Sequence, residues 1–279
     1  MTHRTNPAAG RRAGVTVDPG TSAVRRLRVI RAFALTPHMR RIVFGGEEVA
    51  GFAFYRRSFG PYVKLHFVGE AGRPADPRWT GDLAAVLALP KSGRPPGRTY
   101  TVRDFDAATG ELVVDFVLHG DDGIASRWAA KANAGDIVAL EERGFLAPFG
   151  FDWHILAGDH TALPAIAQIL ENLPAESRGQ ALISLSDPAD RQDLRRPPGM
   201  RLDWLLEAEE GGRPRLVEAV RQSPIPAGAR VFLWAGCEAR AARALRAHAR
   251  HVLQLAAEQH FILNYWRRGL TEDAPHVGE

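Results

Sequence analysis

Apolar and polar positions alternate along the first half of the chain. In residues 27–35, Leu27, Val29, Phe33 and Leu35 recur with period two, the spacing of a strand with one buried face. Residues 61–68 repeat the pattern more cleanly, with Val63, Leu65 and Phe67 on one face and Lys64 and His66 on the other. Further short candidates lie at 40–44, 98–103, 112–118 and 137–140. Short strands separated by turn residues predict an antiparallel barrel. Residues 69–97 read as a looser insertion with a helix near 82–89. Residues 1–23 are small, polar and rich in Gly, Pro and Arg, and read as a mobile tail.

The period changes near Gly150. Residues 153–157 are a short apolar strand, 158–161 a turn, and 162–173 a helix whose apolar face carries Leu163, Ile166, Ile169, Leu170 and Leu173. Thr161 is the expected N-cap. Strands at 181–185 and 231–235, short helices at 203–209 and 215–221, and a long helix over 238–257 complete the half. On that last helix Ala241, Leu245, Ala249, Val252 and Ala256 form the packed stripe, while Arg240, Arg243, Arg246 and Arg250 face water. Repeated strand–turn–helix units predict a parallel sheet with crossover helices. The predicted architecture is a β-barrel domain over 24–149, followed by an α/β domain over 150–279 with a C-terminal helical segment.

Length agrees: 279 residues at about 150 per domain makes two domains. A hydrophobic fraction of 45% and a charged fraction of 24% exclude a disordered, collagen-like or disulfide-framework chain. The formal net charge is +4, and Lys64, Lys91 and Lys131 are the only lysines among 36 basic residues. Arginine offers a planar fork for carboxylate or phosphate. No basic stripe is interleaved with aromatics, so nucleic acid is not the expected partner. Cys237 is the single cysteine, which excludes an internal disulfide and a cysteine-ligated iron–sulfur cluster. A buried core thiol is the expected role for it, ahead of a catalytic one. His248 and His251 lack a third ligand, so no metal site is expected. No stretch approaches 18 apolar residues, and no signal-peptide pattern opens the chain, so a cytoplasmic protein is expected.

Four segments carry candidate chemistry. In Arg98-Thr99-Tyr100-Thr101-Val102-Arg103, a strand puts Arg98 and Tyr100 on one face and Thr101 on the other. An arginine can pair with phosphate while a nearby phenol covers a flat aromatic ligand. Residues 115–129 run from a strand through a Gly-flanked loop into a helical start, whose amides attract phosphate oxygens. Gly158-Asp159-His160-Thr161-Ala162-Leu163-Pro164 and Trp234-Ala235-Gly236-Cys237-Glu238 are two further strand-to-helix turns. Ligands of parallel sheets bind at the carboxyl ends of their strands.

Taken in order, RTYTVR at 98–103, DFVLHGDDGIASRWA at 115–129, AGDHTALPAI at 157–166, WAGCEARAARALR at 234–246 and the closing Tyr265-Trp266-Arg267-Arg268-Gly269 resemble the siderophore-interacting proteins. These are FAD-dependent ferric-siderophore reductases of the ferredoxin–NADP reductase superfamily. The resemblance runs from about Val24 to Asp273. It implies an FAD site made by Arg98, Tyr100, Thr101, Val102 and Arg103 with His119, Gly123, Ala125 and Ser126. It implies an NAD(P)H site made by Asp159, Thr161, Ala162 and Pro164 with Ala235, Gly236, Cys237 and Glu238. The chain departs from the family pattern at Ile124, where proline is usual, at Cys237, where a second glycine is frequent, and at Asn264, where the last motif usually begins with Gly. Asp121 and Asp122 add two acids beside the expected pyrophosphate.

The implied activity is electron transfer from NAD(P)H through FAD to Fe(III) in a siderophore. Hydride is a two-electron donor and iron a one-electron acceptor, so flavin must stand between them. An anionic ferric chelate needs a basic, open site, and Lys64, Arg267 and Arg268 are the candidates. Ser184, Ser186 and Arg191 after the 181–185 strand favour a ribose 2′-phosphate, while Asp187 and Asp190 favour a 2′-hydroxyl. The balance leans to NADPH over NADH, with a reduced ferredoxin as a further donor. A general NAD(P)H–flavin or quinone reductase, a siderophore-binding flavoprotein without pyridine-nucleotide activity, and a protein without flavin are the competing readings.

Overall fold

The computed structural model describes residues 14–18, 23–67, 85, 89, 93–119, 123–207 and 215–270. The first half contains β1 (Gly14–Asp18), β2 (Val24–Thr36), β3 (Met39–Gly45), β4 (Tyr62–His66), β5 (Gly97–Thr101), β6 (Asp104–Asp106), β7 (Glu111–Val117), α1 (Ile124–Lys131), β8 (Ile137–Glu142) and β9 (Phe145–Phe149). Seven of these strands make one sheet in the order β5-β4-β8-β2-β3-β7-β6, and its strand pairs are antiparallel. The sheet curls until Tyr100 of β5 packs on Phe116 of β7, with ring centres 4.4 Å apart. Val63, Leu65 and Phe67 point into this core as the alternation requires. Trp128 of α1 closes it, packing against Phe44, Phe67 and Phe116. His66, expected on the polar face, is buried as well, where its ring nitrogens meet Glu141 and the Pro95 carbonyl.

Part of the segment expected as a tail is ordered as β1, which pairs antiparallel with β9. The helix expected near 82–89 lies outside the described residues, apart from positions 85 and 89.

The second half contains β10 (Trp153–Gly158), α2 (Leu163–Asn172), β11 (Arg178–Leu185), β12 (Gly199–Leu206), α3 (Arg215–Arg221), β13 (Val231–Glu238), α4 (Ala239–His251) and β14 (His260–Trp266). Its five strands run parallel in the order β12-β11-β10-β13-β14. Three expectations are corrected. The helix expected at 203–209 is strand β12, because Met200, Leu202, Trp204 and Leu206 pack on one face with period two while Arg201 and Asp203 take the other. The helix expected to reach 257 stops at His251. Val252 and Leu253 both donate to the His248 carbonyl, and Gln254 takes a positive φ of 51°, which leaves Val252 67% exposed and Ala256 outside the stripe. The C-terminal segment expected to be helical is strand β14.

The two faces of the parallel sheet have separate cores. One gathers Ile155, Ala157, Leu233, Ala235 and Cys237 under α3 and α4. The other joins Leu163, Ile166, Phe232 and Trp234 to Met39, Phe59 and Leu146 of the first half. The barrel and the sheet therefore share one continuous apolar interface. Among the described residues, no helix is long and apolar enough to cross a membrane.

Candidate functional site

Strand pairing orients the flavin motif. Tyr100 lies opposite Val63 and Arg98 opposite Leu65, whereas Thr101 lies opposite Tyr62 and Thr99 opposite Lys64. Opposed residues share a face, so Arg98 and Tyr100 occupy one side of β5, and Thr101 the other with Tyr62 and Lys64. Tyr100 is half-buried with its ring tilted 43° to Phe116. The Arg98 guanidinium is half-buried and donates to the Gly97 carbonyl at 2.7 Å. Val102 is buried and donates its amide to Pro61. Arg103 does something else. Its guanidinium grips Glu171 of α2 through two bonds of 2.7 and 2.8 Å, and its Nε stands 3.8 Å from Asp115. Arg103 therefore ties the flavin strand to the other half of the molecule.

The helix α1 begins at Gly123 with no side-chain cap and no acid in its first turn. A Cβ on Gly123 would stand 2.7 Å from the His119 imidazole, so the ring closes over bare backbone. Ser126 and Ala125 are buried beneath, and Ser126 Oγ accepts the His119 amide at 3.1 Å. A helix start with no side-chain cap and no acid in its first turn is suited to phosphate oxygens. With Tyr100 as an aromatic cover, these residues fit the FAD expected here. Asp121 and Asp122 lie outside the described residues.

The parallel sheet supplies the second half of the site. The chain runs outward from β10 through β11 to β12, then returns to the other side of β10 with β13 and β14. The crevice at the carboxyl ends of β10 and β13 is thus the switch point where such sheets bind ligands. Gly158 and Gly236 meet there; a Cβ on Gly158 would lie 2.9 Å from the Gly236 carbonyl oxygen. A Cβ on Gly236 would lie 2.9–3.1 Å from the ring of Tyr265. Tyr265 leans edge-on to Trp234 at 85°, and its hydroxyl hydrogen-bonds with Thr101 of the flavin strand. Burial pushes that phenol well above its ordinary range.

Asp159 organises the crevice. Its carboxylate accepts the Thr161 amide at 2.9 Å, the Thr161 hydroxyl at 2.5 Å, the Glu238 amide at 2.9 Å and the Trp266 indole N–H at 2.8 Å. Burial raises its pKa against these hydrogen bonds. Asp159 is also the cap of the short turn His160–Ala162, which corrects the expectation that Thr161 caps the helix. Ala162 and Pro164 are buried at the start of α2. Ala235 and Cys237 point to the opposite core, beside Ala157 and Leu245. Burial drives the Cys237 thiol far above its ordinary range, so it stays protonated and inert. Glu238 accepts the Arg240 amide at 2.6 Å and the Arg268 amide at 3.4 Å. The Arg268 amide thus anchors the closing segment to Glu238, and Lys64 shares the Thr101 face of the barrel. Among the described residues, no group of three or more His, Cys, Asp or Glu is placed to hold a metal ion.

Comparison with known proteins decides the family. Residues 28–144 match the siderophore-interacting FAD-binding domain, and residues 151–269 match the siderophore-interacting protein model. The chain belongs to the siderophore-interacting protein family. Its relatives in the family include the ferric vibriobactin reductase ViuB of Vibrio cholerae, 32% identical over 264 residues that span 90% of this chain and 92% of the relative. The NADPH-dependent ferric-chelate reductase of Escherichia coli is 32% identical over 215 residues, 75% of this chain and 80% of that one. The structure of a siderophore utilization protein from T. fusca superimposes with a TM-score of 0.77 at 30% identity, covering 94% of this chain and 100% of the other. In fold alone, the likeness extends to the ferredoxin reductase of carbazole 1,9a-dioxygenase, with a TM-score of 0.58 at 12% identity over 88% of this chain and 70% of that one. The expected ferredoxin–NADP reductase-like architecture is therefore the one this siderophore-interacting protein adopts.

Sequence reasoning did not bring out the contacts that Glu171, Tyr265 and the Trp266 indole make with the predicted site residues, or the packing of Trp234 on Tyr265. The closing Tyr265-Trp266 pair was the available signal, since two adjacent aromatics ending a parallel sheet must cover something.

Proposed function

We propose that this protein is a cytoplasmic, FAD-dependent ferric-siderophore reductase that takes electrons from NAD(P)H and releases iron as Fe(II). The observation that carries this reading is the meeting of the two half-sites at Tyr265, whose hydroxyl reaches Thr101 and whose ring lies on Gly236. The names of the Vibrio cholerae and Escherichia coli relatives support the ferric chelate as substrate, and the latter supports NADPH. FAD, when bound, accepts a hydride and passes electrons on singly.

The side chains bind, orient and exclude water. Tyr100 would cover the flavin ring, and Thr101 would hold a hydrogen bond at its edge. Arg98 and the amides at the start of α1 would hold its phosphates. Gly158 and Gly236 keep the crevice free of side chains of their own, so a nicotinamide would enter where the Tyr265 ring now lies, with Asp159 fixing Thr161 and Glu238 around it. Lys64, Arg267 and Arg268 would supply positive charge to an anionic chelate. Hard oxygen ligands hold Fe(II) far less tightly than Fe(III), so reduction is release. The reaction needs no acid, base or nucleophile from the protein.

The flavin-loaded protein, NADPH, a ferric siderophore and an Fe(II) trap together test the reading. Trapped Fe(II) forming faster than quinone or free flavin is reduced supports it. Quinone reduction without Fe(II) overturns it in favour of a general reductase. Lys64→Ala and Arg267→Ala each raise KM for an anionic chelate about tenfold, while flavin reduction stays unchanged. The departures at Cys237 and Asn264 favour one second reading, in which a reduced ferredoxin replaces the pyridine nucleotide. It predicts Fe(II) release with ferredoxin and none with NADPH.

A further inference from the structure

Donor choice in parallel-sheet nucleotide domains is read just after the second strand, where an acid hydrogen-bonds a ribose 2′-hydroxyl or an arginine accepts a 2′-phosphate. Here that strand is β11, and the segment after it carries Ser186, Asp187, Asp190 and Arg191. Asp190 does not face outward with the arginine, whereas the Asp187 side chain stays 40% exposed. Asp190 is 1% exposed. Its Oδ2 lies 2.9 Å from His38 Nδ1, and its Oδ1 accepts the His38 amide at 3.0 Å. His38 belongs to the β2–β3 turn of the barrel, 152 positions away. Burial pushes the Asp190 pKa up, but hydrogen bonds from that turn outweigh it and keep the carboxyl below its ordinary value. Asp187 stays at the surface: one oxygen accepts the Ala189 amide at 2.8 Å within its own turn, and the other lies 3.9 Å from His38 Nδ1, beyond hydrogen-bond reach. Ser186 and Arg191 are left exposed. Arg191 also lines an open cavity of about 500 Å³ together with Arg201 and Asp203 of β12, which pair with each other at 2.9 Å, a volume within the range of small-ligand sites.

We infer that His38 of the flavin barrel is a positioning residue for donor choice: it withdraws Asp190 from the end of β11, so that Arg191 meets the ribose 2′-phosphate of NADPH. The inference rests on the proposed use of a pyridine nucleotide. It assigns the choice of donor to a contact between the two halves, and not to the nucleotide domain alone.

The test uses the flavin-loaded protein and reads the ratio of kcat/KM for NADPH over NADH. The wild type favours NADPH by about tenfold or more, the effect of one charge-assisted contact. Arg191→Ala removes the preference. His38→Ala lowers the ratio several-fold by improving NADH and weakening NADPH. His38→Asn keeps a donor beside Asp190 and restores the ratio, as does His38→Ala combined with Asp190→Asn, which removes the released charge. Calorimetric binding of 2′,5′-ADP against 5′-ADP gives a readout independent of turnover and follows the same order. A wild type that prefers NADH overturns the inference. So does a His38→Ala variant whose two efficiencies fall together, since a merely structural role would do that. If neither nucleotide reduces the flavin, the proposed donor fails. The inference then stands only if 2′,5′-ADP still binds better than 5′-ADP and His38→Ala erases the difference; equal binding overturns it too.

Discussion

The two half-sites are built in opposite ways. On the barrel side, α1 starts without a side-chain cap or an acid in its first turn, so no side chain of its own already holds its first amides. On the sheet side, the donors of the corresponding turn are already bound to Asp159, and Tyr265 lies on Gly236. A preformed cradle suits a resident cofactor, because binding costs little reorganisation. A crevice whose polar groups are satisfied internally suits a co-substrate that comes and goes. Asp159 keeps those amides paired while the crevice is empty, where unpaired buried donors would cost about 1–3 kcal/mol each.

The contrast breaks most sharply under a pair of substitutions. Tyr100→Ala strips the aromatic cover and lowers flavin affinity about tenfold or more, by the worth of one stacked ring, as flavin retained on gel filtration would report. Gly236→Val leaves flavin content intact, yet drives Cβ and two methyl groups into the Tyr265 ring. Reduction by NADPH then falls about a hundredfold or more, the result of a small misplacement at a reacting centre. Equal loss of flavin in both variants would erase the distinction between the halves.

Acid stability separates the halves next. His154 on β10 is 8% exposed, and burial brings its pKa down to about 4. Its folded pKa lies below the unfolded value near 6.5, so the unfolded chain binds the proton first. Stability is whole above pH 6.5 and falls by roughly 3 kcal/mol as pH drops toward 4. His154→Gln flattens that slope in urea titrations across this window. An unchanged slope would show that another group governs it.

The tie between the halves comes third. Glu171→Gln keeps the shape of the Arg103 contact but removes its charge, with the two side chains 10% and 16% exposed. The free energy of unfolding falls by about 1–3 kcal/mol, and the loss is accompanied by slower flavin reduction at unchanged flavin content. The smallest effect belongs to Asp152, held down to about 2 by the hydrogen bond from Arg230. Its folded pKa is depressed, so its contribution is present above pH 4 and fades as pH falls toward 2. Both side chains are nearly half exposed, which limits Asp152→Asn to less than about 1 kcal/mol.

Strands with a single buried face were legible in the sequence, because Val63, Leu65 and Phe67 leave no other period. The strand β12 was not, since Trp204-Leu205-Leu206 is a continuous apolar run that fits a helix as well. The strand β14 was hidden for the same reason: Phe261-Ile262-Leu263 follows a helical pattern with no turn signal strong enough to break it. The motif segments predicted two half-sites, but not how the chain joins them. Arg103 and Glu171 are 68 positions apart, and His38 and Asp190 are 152 apart. Such pairs leave no periodic trace, and only the folded chain brings them together. The side of the sheet also escaped the sequence, which could not tell that Gly236 faces the crevice while its neighbours Ala235 and Cys237 face the opposite core.

The central claim is that the two half-sites converge on one flavin that joins donor to iron. The anaerobic visible spectrum of the purified protein tests it most directly. The account predicts a yellow protein that bleaches on adding NADPH and regains its colour when a ferric siderophore follows. A colourless protein that cannot take up added FAD would contradict it, as would a yellow one that bleaches with NADPH and stays bleached beside the ferric siderophore.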